Sequence, residues 1–179
     1  MRHIIQILLL STFAIVATAE EPPEATVEKP AMNNQKLQVL IEGIAEDVEG
    51  RAGYWRFTLH DYPATVITDE RADRMRIIVP IAEIKDIDAD KLFRLMQANF
   101  DSALDARYSI AKGILWSAFI HPLSELSEHQ FIDGLAQTIN LAATYGTTYS
   151  SGALIFGGGD SQGEQNKYYK AIIERKDSI

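Results

Sequence analysis

The sequence predicts an α+β domain, one antiparallel sheet of about five strands with three helices in the order α-β-β-β-α-β-β-α. Two observations carry this. From about Asn34 to Tyr145 the apolar period switches between that of a helix and that of a strand in this fixed order. Turn-forming residues stand at the switches, at Gly50, Asp61-Tyr62-Pro63, Lys112-Gly113 and Pro122. The pattern describes a sheet with its helices on one face.

Asn33 and Asn34 can cap the first helix, with Leu37, Leu40, Ile41, Ile44 and Val48 at helical spacing and Gly50 as its stop. Trp55, Phe57 and Leu59 then alternate with Arg56, Thr58 and His60, the period of a strand with one buried face. Beyond the turn, a second strand is expected over about 64–68. The charged loop 69–73 leads into a third, where Met75, Ile77, Val79 and Ile81 share a face and Arg74 and Arg76 point the other way. Pro80 marks the strand's end or a sheet edge, because proline cannot donate to a ladder.

The second helix is expected from near Asp88, with Leu92, Leu95, Met96 and Ala103 inward and Phe93, Phe100 and Leu104 widening that stripe. Asn99 falls on the stripe, so if buried it must be hydrogen-bonded, and a structural role is expected of it. Two strands, 107–111 and 114–121, flank the Lys112-Gly113 hairpin turn. In the later one Trp116, Ala118 and Ile120 lie on one face and Leu115, Ser117 and Phe119 on the other. Both faces are apolar, as for a central strand or one half covered by a partner. Ser127 and Gln130 form a capping box for the last helix, which turns Phe131, Leu135, Ile139 and Ala142 inward. Gly134 in mid-helix costs about 1 kcal/mol relative to alanine, which close approach to the sheet would explain. Gly146 supplies the stop.

The ends of the chain differ from this module. Met1-Arg2-His3 gives a positive start, Ile4 to Val16 is largely apolar, and Ala17-Thr18-Ala19 offers small residues at a cleavage point. Residues 1–19 therefore read as a signal peptide cut after Ala19, too short to be a membrane span. Export to the periplasm or beyond is expected, with no membrane association after cleavage. Loss of Arg2 would leave sixteen Lys and Arg against twenty-five Asp and Glu, a net charge of −9. That surplus argues against nucleic-acid binding and against attraction to anionic lipid. No cysteine is present, so neither disulfides nor a lipid-modified N-terminus is available. Residues 20–33, acidic and proline-containing, read as a disordered tether. The domain proper is expected over 34–156. A glycine-rich linker and a short amphipathic tail follow at 157–179, with Tyr168, Tyr169, Ile172 and Ile173 on one stripe.

Several short runs carry a resemblance. They are Arg74-Met75-Arg76-Ile77-Ile78 with Pro80-Ile81, Ala98-Asn99-Phe100, Asp105-Ala106-Arg107-Tyr108, His121-Pro122-Leu123 and Gly146-Thr147-Thr148-Tyr149-Ser150-Ser151-Gly152. Over about two-thirds of the chain this resembles the YbjN family, described as bacterial sensory transduction regulators. The resemblance implies a fold like that of the type III secretion chaperones, usually dimeric, binding other polypeptides and without enzymatic activity. The export signal departs from the cytoplasmic members and speaks against a direct role in transcription.

The residues give little support to chemistry. His60, His121 and His129, with Asp61, Glu125 and Glu128, could surround a metal, but no metal-ligand spacing appears and none is expected. Ser150-Ser151-Gly152 lacks a nucleophile elbow, and Gly157-Gly158-Gly159-Asp160 lacks the lysine of a phosphate cradle. Asp105 and Arg107 are expected to pair at the helix-to-strand corner.

The expected function is binding without chemistry or cofactor, by a module expected to be a homodimer and whose partner is an unidentified polypeptide. The candidate contact residues are Tyr54, Trp55, Arg74, Arg76, Arg107, Trp116 and Phe119. Periodicity leaves open which sheet face they form, since Trp116 and Phe119 point oppositely. The alternatives are a periplasmic hydrolase or metal-dependent enzyme using His121 with Asp105 or Glu125, and a small-molecule sensor.

Overall fold

A computed structural model describes residues 30–101, 103–146 and 162–177. The expected signal peptide, residues 20–29 of the tether and the run Gly157 to Gly159 lie outside the described residues. Helix α1 (Asn34–Glu42) leads into strands β1 (Glu49–Arg51), β2 (Tyr54–Leu59), β3 (Tyr62–Asp69) and β4 (Arg74–Glu83). After a 3-10 turn at Ile84–Asp86 come α2 (Ala89–Asp101), β5 (Arg107–Ala111), β6 (Ile114–His121), α3 (Glu128–Ala143) and α4 (Gln162–Asp177). The strands form one antiparallel sheet in the order β1-β2-β3-β4-β6-β5. The expected α+β class and element order hold, with one additional short strand among the described residues and with the expected amphipathic tail forming α4.

The additional strand, β1, has three exposed residues and no apolar alternation to announce it. It contains Gly50, the residue expected to stop α1. Gly50 has φ +114°, and a Cβ there would lie 2.1 Å from the Tyr54 carbonyl oxygen. α1 itself ends at Gly43, although Ile44 and Ala45 just beyond it remain buried. Two of the two-residue hairpin turns have positive φ at each position, His60-Asp61 (49° and 67°) and Lys112-Gly113 (53° and 74°). This geometry matches the twist of paired strands. Tyr62 and Pro63, expected in the first of these turns, instead open β3.

Pro80 does not end β4, which runs on to Glu83. Pairing with β3 stops at Ile78, so beyond it that side of β4 is an edge that needs no N–H from proline. On the other side the β4–β6 register shifts between Pro80 and Ala82.

One face of the sheet carries Trp55, Phe57, Val66, Met75, Ile77 and Phe119 into the main core, against Leu37 and Ile41 of α1 and Phe131, Leu135 and Ile139 of α3. The capping box of α3 forms as expected, Ser127 Oγ accepting from Gln130 N (3.1 Å) and Gln130 Oε1 from Ser127 N (2.8 Å). Ile132 and Ala136, off the expected inward stripe, are buried too, because α4 packs along α3. α4 inserts Ile172 fully into this core.

A smaller core of Ile87, Leu95, Ala98, Tyr108 and Leu115 lies between α2 and β5–β6. Met96, Phe93 and Phe100 do not join it. They are 47%, 66% and 62% exposed, on a stripe facing away from the sheet. The apolar residues of α2 span too much of its circumference for all to face one sheet.

Two amides anchor the β5 region. Asn99 Oδ1 accepts from Tyr108 N (2.7 Å) and its Nδ2 donates to Tyr108 O (3.0 Å), the structural role expected of it. Gln137 Oε1 accepts from Asp105 N (2.8 Å) and Ala106 N (3.1 Å), while its Nε2 donates to Asp133 (2.8 Å) and Asp105 (3.3 Å). Asp105 is thus held by Gln137 and makes no ion pair with Arg107, which instead donates to the Ala106 carbonyl (3.3 Å). The folded body also begins earlier than expected. Met32 is buried and donates its N–H to Ser124 O (3.1 Å), so the end of the expected tether belongs to the domain.

Two outcomes follow from these contacts. A Cβ on Gly134 would meet the Phe119 ring at 2.6 Å, and that ring is itself buried. Gly134→Ala should therefore destabilise by about 1–3 kcal/mol in urea unfolding, although glycine-to-alanine in an open helix gains about 1 kcal/mol. Asp73, before β4, accepts from Ser124 N (2.7 Å) and Ser124 Oγ (2.9 Å). The Ser124 amide first and its hydroxyl second, then the Leu123 amide and the Arg74 charge, hold this carboxyl below its usual range against partial desolvation. A lowered carboxyl pKa stabilises the fold above the unfolded value and stops doing so as pH falls through the folded one. Asp73→Asn should therefore lower the thermal midpoint at neutral pH, and the gap from wild type should close on acidification through that range.

Candidate binding surface on the open sheet face

With the helices on one side, the opposite side of the sheet has no layer over it among the described residues. Strand register arranges its side chains in rows. Tyr54 pairs with Ile67, Ile67 with Arg76 and Arg76 with Ile120, giving one row across β2, β3, β4 and β6. The next row is Glu49, Arg56, Thr65, Ile78, Ala118 and Arg107, and the third places Pro80, Trp116 and Ser109 side by side. Between them these rows line a shallow open depression of about 540 Å³, with Lys112 at one end. None of its lining residues is acidic.

The centre of this surface is aliphatic and aromatic. Ile120 is 61% exposed and Tyr54 42%. Trp116 is half-buried against the sheet, and its indole N–H donates to the Ala111 carbonyl (3.0 Å), which fixes the ring across the β5–β6 hairpin. Arg56 and Arg76 are exposed and have no ion-pair partner among the described residues. Such guanidinium groups are free to take carboxylates in bidentate fashion.

The expected contact residues are therefore divided. Tyr54, Arg74, Arg76, Arg107 and Trp116 all belong to strands on this face, with Arg74 at its margin bound to the Asp73 carbonyl (3.0 Å). Trp55 and Phe119 do not belong to it. They point through the sheet into the core, 1% and 5% exposed, and Trp55 donates its indole N–H to the Gln38 side chain. Arg56, Ile67, Ile78 and Ile120 belong to the surface and were not expected. The parity of Arg74 and Arg76 could have located Ile78, but β3 carried no face assignment until its register was known.

The residues of the enzyme alternative meet only in part. Asp105 and His121 line one small cavity of about 370 Å³ with Arg107, Gln130 and Asp133, whereas Glu125 does not. His121 Nδ1 lies 2.7 Å from the Pro122 carbonyl, and its ring stacks on Phe119 at 5.9 Å. The Asp105 carboxylate faces Gln137. No group of three or more His, Asp or Glu among the described residues is placed to hold a metal ion. No helix among them is long and apolar enough to cross a membrane.

The two tryptophans offer a direct check on which face is core. Trp55→Ala should cost about 3–5 kcal/mol in urea unfolding. Trp116→Ala should cost less than about 2 kcal/mol, as for a partly exposed side chain.

No family model and no curated protein matches the chain. Solved structures do. The ExsC–ExsE complex is similar at 13% identity over 68% of this chain and 100% of that chain, with a TM-score of 0.52. The Yersinia pestis type III secretion chaperone SycH, in complex with a stable fragment of YscM2, is similar at 16% identity over 63% and 98%, with a TM-score of 0.48. The HopA1–SchA chaperone–effector complex is similar at 14% identity over 63% and 94%, also with a TM-score of 0.48. What the chain shares with the first of these is the fold, an antiparallel sheet with helices in an α+β arrangement.

Proposed function

We propose that this chain is an exported, non-enzymatic, YbjN-like module that binds another polypeptide in a chaperone-like or regulatory role, and that it acts as a homodimer in the periplasm. The observation that carries the reading is the sheet face with no layer over it among the described residues, apolar along its centre, with Arg76 and Lys112 in its lining and Glu49 beside Arg56 at the β1 edge. A polypeptide laid across it would bury Tyr54, Ile67, Trp116 and Ile120 as anchors, and Arg56 and Arg76 would take its acidic side chains or exposed carbonyls. The opening is shallow and broad, which suits an extended chain or a helix better than a small molecule. That ExsC–ExsE, a similar solved structure, is a complex of two proteins adds support for a polypeptide partner.

Export rests on the sequence of residues 1–19. The dimer rests on the outward stripe of α2. Phe93, Met96 and Phe100 stand at helical spacing and well exposed, and Ile110 on β5 is 52% exposed. Two such stripes placed face to face would remove from water three large side chains per copy.

The test combines partner capture from periplasmic extract with the size-exclusion mass of the mature protein, each variant being checked for cooperative unfolding. Wild type should elute as a dimer and retain a discrete polypeptide. Ile120→Asp and Arg76→Glu should keep the dimer and lose at least ten-fold of the retained partner. Phe93→Asp with Phe100→Asp should give a monomer. Equal retention by wild type and Ile120→Asp would sink the binding face. Substrate turnover by wild type that His121→Ala abolishes without unfolding would establish the enzyme instead.

A further inference from the structure

The helical side of the molecule carries a second feature, which meets the open sheet face only at the sheet edge, where Arg175 lines a cavity of about 470 Å³ with Arg56 and Trp116. α4 is polar around most of its surface, and of its described side chains Ile172 is fully buried while Tyr168, Tyr169 and Ile173 are partly so. A helix of sixteen residues with this composition is marginal in water on its own, so its order comes from the groove it lies in. That groove is assembled from parts distant in sequence. His60, in the β2–β3 turn, meets the Tyr168 ring edge-on at 5.4 Å, and His129, in the first turn of α3, meets Tyr169 at 5.5 Å. Glu46, beyond α1, pairs with Arg175 (2.5 Å), and Glu128 pairs with Lys176 (2.6 Å).

The chemistry of the two sides is complementary. Aromatic and aliphatic side chains at positions i, i+1, i+4 and i+5 enter the groove, and two basic residues one turn later meet an acidic rim. The basic residues sit at the C-terminal end of the helix, where its dipole favours cations. The rim contacts themselves are weak, since the side chains of Glu46 and Glu128 are 84% and 59% exposed. Fifteen residues, 147–161, join the end of the α3 region to α4, enough chain to span up to about 50 Å. Because α4 is part of the same chain, it meets the groove intramolecularly, and a modest intrinsic affinity is enough to seat it.

We propose that this groove is a receptor for an amphipathic helix, that α4 is its in-chain occupant, and that a partner helix of the same chemistry displaces α4. The partner helix would carry two adjacent aromatic residues, two aliphatic residues four positions on, and a basic pair in the following turn. Seating such a helix exchanges one occupant for another and leaves the sheet and its open face as they are.

The test uses a fluorescein-labelled peptide of residues 162–179 and the full chain in three forms: wild type, Ile172→Asp, and Arg175→Glu with Lys176→Glu. Fluorescence anisotropy should show the peptide binding the Ile172→Asp chain at least ten-fold more tightly than wild type, whose groove is filled. The doubly charge-reversed chain should fall between them, and a peptide carrying Ile172→Asp should bind none of the three. If the Ile172→Asp chain unfolds cooperatively yet binds the peptide no better than wild type, the groove is not a receptor and the proposal fails. Loss of cooperative unfolding in that chain overturns it equally, because a displaceable occupant cannot be required for the fold.

Discussion

The contact on which the architecture turns is the passage of Gly134 over the Phe119 ring. A helix carrying any side chain at that position would stand off from the sheet. Without one, α3 lies close enough for Phe131 on one side and Leu135 and Ile139 on the other to reach the apolar faces of β4 and β6. α1 then flanks α3 over β2 and β3, and α2 closes the β5 end with a core of its own. All the sheet-packing helices end up on one side, and no described residue forms a layer over the other.

That asymmetry separates stability from recognition. The side chains that hold the fold together alternate, residue by residue, with those that face outward. Trp55, Phe57 and Leu59 hold β2 in the core while Tyr54, Arg56 and Thr58 face away from it. Substitution on the bare side therefore leaves the packing nearly untouched. Electrostatics sharpens the contrast. The whole chain has a formal net charge of −8, yet the depression on the bare face is bordered by Arg56, Arg76 and Lys112 with no carboxylate among its lining residues. Glu49 stands opposite Arg56, so the attraction of this face for an acidic segment falls to Arg76 and Lys112, and it weakens as salt screens it.

Much of this was legible in the residues, and the failures have physical reasons. Strand alternation placed Trp55, Met75 and the two opposed faces of β6 correctly because one face of each strand is buried and period two is unambiguous there. Ser127 and Gln130 located the start of α3 because a capping box has few other uses. β1 escaped notice because three exposed residues carry no periodic signal. α2 was misread in part because apolar residues at 92, 93, 95, 96 and 100 cover an arc of roughly 160° of the helix, and spacing cannot say which part of it meets the sheet. The open face was half legible. Arg76 and Trp116 lie on it, whereas Trp55 and Phe119 point into the core, and an aromatic ring alone does not distinguish a core from a surface.

Asn99 has a consequence for how this protein behaves when crowded with copies of itself. Its side-chain amide occupies both backbone groups of Tyr108 that β5 turns away from β6, in the place an incoming strand would take. At the far side of the sheet, β1 offers only three residues to template on. One border is blocked at Tyr108 and the other carries only a short strand, which reduces the continuous edge available for open-ended growth into fibrils.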